Sequence, residues 1–570
     1  MKFSRPTNWI GNFNQDGLLY FAQRIEEMLY SYTDTLYSVP ALNTHLLVLE
    51  YLETDESIEN RTIAETQLKH IVDEFQGSFK SDVVIQDNLT EEECKNILDK
   101  LNTSNSTNQK KIMLYLWEFL KDYSNWCVAY IKKIVPQENE KKKIEKALRC
   151  FIPELIGRGY SGEYIYYYVK EVFFKTPVSS MESLRIFLER FDFKKKDYTV
   201  YVPVKKSVLA FKEILERRFD AEFGVFSEAL DLRYKNGRYV LVKLTLKDYD
   251  ERAVAEQAYN KLNLFFKYYN FLGNEKQGWI NNKCKVLDEQ GKFAFVEMKP
   301  LCFRHYLAEK DVITTGQVTE RVISMLLFNS KEAIYYIDRA VVMHNTAISE
   351  KNLSNGFLNL WSALEVLFVE SQSKSKLNDV EEKVIPILQK NYIPNIFEQL
   401  EDYLKDNLGE EYIAVLKKEV SEYDDSTWLA EILALPQYEE LRTRIVNDLK
   451  SYPVLRSRIM QISDMFKTKK SVLKEIDRYT SRIDWHLRRL YRTRNAIIHS
   501  GDEPTNIKLL GEHLHNYLDC CLYEIVLKLP SRRNIDAVLM DIVLSTDLIM
   551  KKLKGHEDVD KDCIKILMEK

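Results

Sequence analysis

Apolar residues recur every three or four positions along most of the chain, the spacing that gives a helix one buried face. This pattern predicts helices over 18–37, 111–135 and much of 154–191. It resumes after about position 318, over 332–348, 353–370 and 478–500. Beyond Pro504 a further run places Leu509, Leu510, Leu514, Tyr517, Leu518, Cys521, Leu522 and Ile525 on one apolar face. Between the two helical stretches the period changes. Residues 198–204 alternate as a strand does, and 233–234 and 238–246 flank Asn236-Gly237, a strong hairpin signal. Residues 283–287 and 292–298 flank a second turn ending at Gly291, and 208–219 reads as a helix belonging to the same small sheet.

The expected fold is mainly α, in four parts: an N-terminal helical region (1–192), a small α+β domain (193–317), a helical bundle (318–550) and a C-terminal tail (551–570). Within the bundle, 371–476 reads as a helical insertion broken by Pro386, Pro394, Pro436 and Pro453. The aromatic cluster Tyr160, Tyr164, Tyr166, Tyr167, Tyr168, Phe173 and Phe174 has the composition of a base-stacking platform, but at helical spacing it reads as core.

Composition narrows the function classes. Hydrophobic residues make up 45% of the 570 and charged residues 29%, both ordinary for a soluble globular protein. The net charge of −4 excludes a general polyanion binder, so any RNA contact must come from local patches. Eight cysteines without a Cys-x-x-Cys pair suggest neither a disulfide framework nor a zinc pattern, and point to the reducing cytoplasm. The first residues lack the apolar core of a signal peptide, and no run of some twenty apolar residues is present, so no membrane partner is expected. Gly273 and Gly278 have P-loop spacing, but Trp279 stands where that loop needs its lysine, which argues against a nucleoside triphosphate site. No group of His, Cys and carboxylates has ligand spacing along the chain, so neither a metal nor a cofactor is expected.

The chemistry concentrates in 490–501, Leu-Tyr-Arg-Thr-Arg-Asn-Ala-Ile-Ile-His-Ser-Gly. Ile483, Leu487, Leu490 and Ile497 define the buried stripe of this helix, and Gly501 with Pro504 marks its end. Arg494 falls on that stripe and therefore needs a partner or an anionic ligand. Arg488, Arg492, Asn495 and His499 form a neighbouring basic, hydrogen-bonding stripe. Arginine holds phosphate through paired hydrogen bonds, and histidine exchanges protons near neutral pH. A second Arg-x4-His occurs at Arg339 and His344 without the flanking Asn and Ser-Gly, and is read as a coincidence with a dispensable histidine.

Arg494-Asn495-Ala-Ile-Ile-His499 is similar to the Arg-(Asn/His/Asp)-x-x-x-His motif of HEPN-domain ribonucleases. The upstream segment Phe357-Leu-Asn-Leu-Trp361-Ser-Ala-Leu-Glu365-Val-Leu-Phe368 resembles the second helix of the ApeA-like HEPN branch. Together they cover roughly 325–550. The resemblance implies a HEPN-like bundle that dimerises, with Arg494, Asn495 and His499 as catalytic residues and no metal. It also implies attack by the ribose 2′-hydroxyl on single-stranded or looped RNA. Arg488 and Arg492 are expected to bind RNA, and Glu365, an acid beside a core stripe, to support Arg494. Such families often serve in antiphage defence, so the N-terminal half is expected to respond to a phage-derived trigger. The competing readings are a non-catalytic module for RNA, nucleotide or protein, and a structural scaffold.

Overall fold

The computed structural model describes residues 3–569 except 11–14, 61–64, 233, 235–237, 274–279, 299–330, 351, 371, 421–425, 502 and 533, with the backbone alone for 268–273, 332 and 530–532. The chain is mainly helical with one antiparallel five-stranded sheet. The helices used below are α1 (Asp16–Leu29), α2 (Thr44–Glu59), α3 (Thr66–Ser81) and α4 (Lys141–Arg158), then α5 (Glu251–Gly273) beside the sheet. After these come α6 (Lys331–Ser349), α7 (Leu353–Phe368), α8 (Lys376–Leu408), α9 (Pro453–Met465), α10 (Lys469–His499), α11 (Ile507–Arg532), α12 (Ile535–Gly555) and α13 (Lys561–Met568).

The sheet has the order β2-β3-β1-β4-β5, with β1 (Lys196–Lys205), β2 (Glu222–Gly224), β3 (Tyr239–Asp248), β4 (Lys283–Asp288) and β5 (Phe293–Glu297). The β4–β5 hairpin turns as its sequence predicts, with Gly291 in the left-handed region at φ 77°. The expected hairpin across Asn236-Gly237 differs. Its turn lies outside the described residues, Tyr234 is in no strand, and β3 pairs instead with β1 and β2. The long register from Lys196↔Asp248 to Lys205↔Tyr239 offers far more ladder than a two-residue strand. Val200, Val202, Leu244 and Val286 bury one sheet face against α5 residues such as Val254 and Leu262.

Two helical cores divide the rest, and their boundary does not follow the chain order. One is built from 392–476 and 553–567 packed with the helices of 3–191. The other gathers α6, α7, the start of α8, the second half of α10, α11 and α12. Helix α8 joins both. It runs unbroken through Pro386 and Pro394, where the sequence led us to expect breaks. Each proline removes one helical hydrogen bond and crowds the preceding turn. Burial on both sides offsets this, through Val384, Ile387 and Leu388 in one core and Ile393, Ile396 and Phe397 in the other. Of the segment read as an insertion (371–476), α8 is therefore the beam between the two cores, and the rest packs with the N-terminal helices. Of the aromatic cluster, expected to be core, Tyr160, Phe173 and Phe174 are buried, Tyr164, Tyr166 and Tyr168 are partly buried, and Tyr167 is exposed.

Candidate functional site

Helix α10 starts at Lys469, nine residues before the expected 478, and its 31 residues cross from one core into the other. Thr468 caps it by accepting the Ser471 N–H. Ile483, Leu487 and Leu490 are buried as their spacing requires. At the far end Gly501 takes φ 72°, and its N–H reaches the Ala496 carbonyl at 3.1 Å.

The last two turns present the candidate residues. Arg494 Nη2 lies 3.8 Å from Glu365 Oε1 on α7, and its Nη1 donates to Asn495 Oδ1 at 3.1 Å. Glu365 is a junction: Oε1 accepts the Trp361 indole N–H at 2.9 Å, and Oε2 accepts from Lys376 Nζ at 3.3 Å. Trp361 is fully buried, so its hydrogen bond fixes the carboxylate in place. Positions five apart on a helix differ by about 140° around the axis. Accordingly Arg494 turns toward α7, whereas His499 is exposed at the helix end. Asn495 is partly exposed, one turn before His499. The arrangement sets a cation and a hydrogen-bonding amide on one side of the helix end and an accessible imidazole about 140° around it.

The basic stripe is not open. Arg488 donates to Glu381 at 2.8 Å and to Asp484 at 3.1 Å. Arg492 is buried and donates to Glu50 Oε1 at 2.8 Å. Arg488 and Arg492 were expected to bind RNA; in this conformation both guanidinium groups are held by carboxylates, because the N-terminal helices and α8 cover that side of α10. Sequence reading also missed Arg489, which meets two acids of the N-terminal helices. It is buried between Glu50, at 3.1 Å, and Glu74, at 2.5 Å. Burial works to raise the Glu50 carboxyl, yet Arg489 and Arg492 overcome it and hold Glu50 well below the usual carboxylate range. Burial pushes the neighbouring Glu74 up. Nothing local marks these acids, which lie more than 400 positions before the arginines they hold.

Two histidine clusters appear that the linear sequence concealed. His344 is buried and faces Asp519 Oδ1 at 2.9 Å and His515 at 2.7 Å. The absence of ligand spacing along the chain did not foresee this convergence; only the His515-Asp519 spacing of four was visible. It also makes His344 a packed core residue, so a substitution there reports on folding as well as chemistry. In the second cluster His513 bridges Ser38 at 3.1 Å and His486 at 3.4 Å, and His486 meets the Tyr517 hydroxyl at 3.0 Å.

Among the described residues no cysteine is in a disulfide, and no helix is long and apolar enough to cross a membrane. The rejected P-loop segment lies largely outside them. Comparison of the chain with family models, curated proteins and solved structures finds no match.

Proposed function

We propose that the chain is a metal-independent endoribonuclease of the HEPN type, cleaving single-stranded or looped RNA. The observation that carries this reading is the end of α10, where exposed His499 and partly exposed Asn495 follow Arg494, itself beside Glu365 of α7. In the proposed reaction the ribose 2′-oxygen bonds to phosphorus and the bond from phosphorus to the 5′-oxygen breaks. His499 takes the 2′-hydroxyl proton or returns one to the leaving 5′-oxygen. Arg494 offsets the charge gathering on the phosphoryl oxygens, and Asn495 orients it. The products are a 2′,3′-cyclic phosphate and a 5′-hydroxyl.

A homodimer belongs to this reading. One helix end supplies one histidine, and its arginine faces elsewhere, so a second copy across a twofold axis would complete the set. Met540, Leu544 and Leu548 form an exposed apolar line at helical spacing on α12, with Tyr523 and Leu527 exposed on adjacent α11, which suits such a partner. The cellular role we propose is antiphage defence in the cytoplasm, with the N-terminal helices restraining α10 through Glu50 and Glu74 until a phage-derived trigger acts.

The test is incubation of the purified protein with total RNA in EDTA, wild type against His499→Ala. Cleavage that His499→Ala abolishes, in wild type or in Glu50→Gln, where the restraint is loosened, supports the reading; equal cleavage with and without His499, or no cleavage by wild type and by Glu50→Gln, overturns it. A second reading, a non-catalytic HEPN-like module that binds RNA, a nucleotide or a protein, draws on the ion pairs that occupy Arg488, Arg492 and Arg494.

A further inference from the structure

In the first histidine cluster, His344 Nε2 lies 2.7 Å from His515 Nε2 and 2.9 Å from Asp519 Oδ1, and His515 Nε2 lies 3.6 Å from Asp519 Oδ2. Two ring nitrogens from α6 and α11 and one carboxylate therefore converge on a single point, the arrangement in which side chains share a cation.

We propose that His344, His515 and Asp519 bind one divalent transition-metal ion of the zinc or cobalt class. The donor set selects that class, because two imidazoles with one carboxylate suit borderline ions, whereas magnesium and calcium favour oxygen donors. The three ligand atoms all lie within 4.8 Å of one another. Tetrahedral zinc with bonds of about 2.0–2.1 Å sets its ligand atoms roughly 3.3 Å apart. The separations of 2.7, 2.9 and 3.6 Å fall on either side of that, so binding needs only small side-chain shifts. His515 and Asp519 are one turn apart on α11, and His344 reaches them from α6. His515 is 1% exposed and His344 8%, and the Asp519 side chain is 20% exposed. The ion would tie the first helix of the bundle to α11. It goes beyond the ribonuclease reading and takes no part in that reaction.

The experiment uses the full chain, stripped by chelation and titrated with zinc and with cobalt(II) in the absence of RNA. One equivalent per chain is expected, with the visible bands of four-coordinate cobalt and a melting temperature that rises with zinc. Asp519→Asn and His515→Gln are each expected to weaken cobalt binding roughly 100-fold or more, since even outer-shell losses cost 10- to 100-fold. His499→Gln is expected to bind as wild type does. A stripped wild type that keeps its helical circular dichroism yet takes up no zinc overturns the proposal, as does undiminished binding by folded Asp519→Asn and His515→Gln. If those variants fail to fold, the wild-type titration decides alone. Metal uptake without RNA cleavage, or the reverse, separates this proposal from the ribonuclease reading.

Discussion

Arg492, buried on α10, rests its guanidinium 2.8 Å from the carboxylate of Glu50 on α2, so the helix bearing the candidate motif is held by the N-terminal helices. Glu50 also meets Arg489 at 3.1 Å, which gives one carboxylate two buried cations. Glu50→Gln would leave both under-compensated. The expected cost is about 3 kcal/mol, the low end for breaking a buried pair, read by denaturant unfolding. If the N-terminal helices restrain a nuclease, the same variant also cleaves RNA faster than wild type at a temperature where both are folded.

His499→Ala is expected to slow RNA cleavage by about 100- to 10,000-fold, the usual worth of one proton-transfer group. The melting temperature should stay within experimental error, because His499 is exposed at a helix end. Arg494→Ala should lose activity too, and in addition cost roughly 0.5 kcal/mol, since its pair with Glu365 is long and partly solvated. Cleavage rates and melts on the same preparations separate chemistry from folding.

Arg488 and Arg492 were candidates for phosphate contacts, and their ion pairs change what their removal should do. Arg488→Ala abandons Glu381, which is buried, and Arg492→Ala abandons Glu50. The expected result is a lower melting temperature for both, with the salt dependence of RNA binding unchanged within error. A fall in the slope of log K against log salt by about one per arginine would mean that the pairs open and the arginines reach phosphate.

Leu544→Glu and Leu548→Glu place a charge on the exposed apolar line of α12. Both should convert a dimer into a monomer in light scattering without lowering the melting temperature of the monomer. Retention of the dimer in both variants would place the interface elsewhere.

Acid should destabilise the chain through His486 and His513. Burial first, then nearby charges including Arg482 and Arg489, pushes both down, His513 to about 3. The unfolded chain protonates these rings near pH 6.5 and the folded chain does not. Their contribution is therefore full above about pH 6.5 and declines as pH falls toward 3. Glu381 opposes this: burial raises it to about 7, so its contribution is present below about pH 4.5 and lost as pH rises to 7. Comparing wild type with His513→Asn removes that background. Between about pH 7 and 5 the wild-type melting temperature should fall by more than that of the variant.

The sequence alone determined α6, α7 and α11 closely, because a buried stripe at spacing three and four specifies a helix whatever it packs against, whereas the helix expected over 18–37 ends at Leu29 and that over 111–135 is interrupted at 120–122. It also determined the stop at Gly501, where a left-handed residue ends the turn, and the β4–β5 hairpin at Gly291. The acid-cation relation of Glu365 and Arg494 was legible as well, since each falls beside a core stripe and needs a counter-charge. Tertiary structure decided the rest. Whether Arg488 and Arg492 face solvent depended on Glu381 and Glu50, which lie 107 and 442 positions away. That α8 continues through two prolines depended on cores packed against both of its halves, a gain no local propensity contains. His344 looked like half of a chance motif, and became one corner of a three-residue cluster when α6 met α11. Periodicity records what a segment buries; which charges and ring nitrogens then meet is set by how distant helices pack.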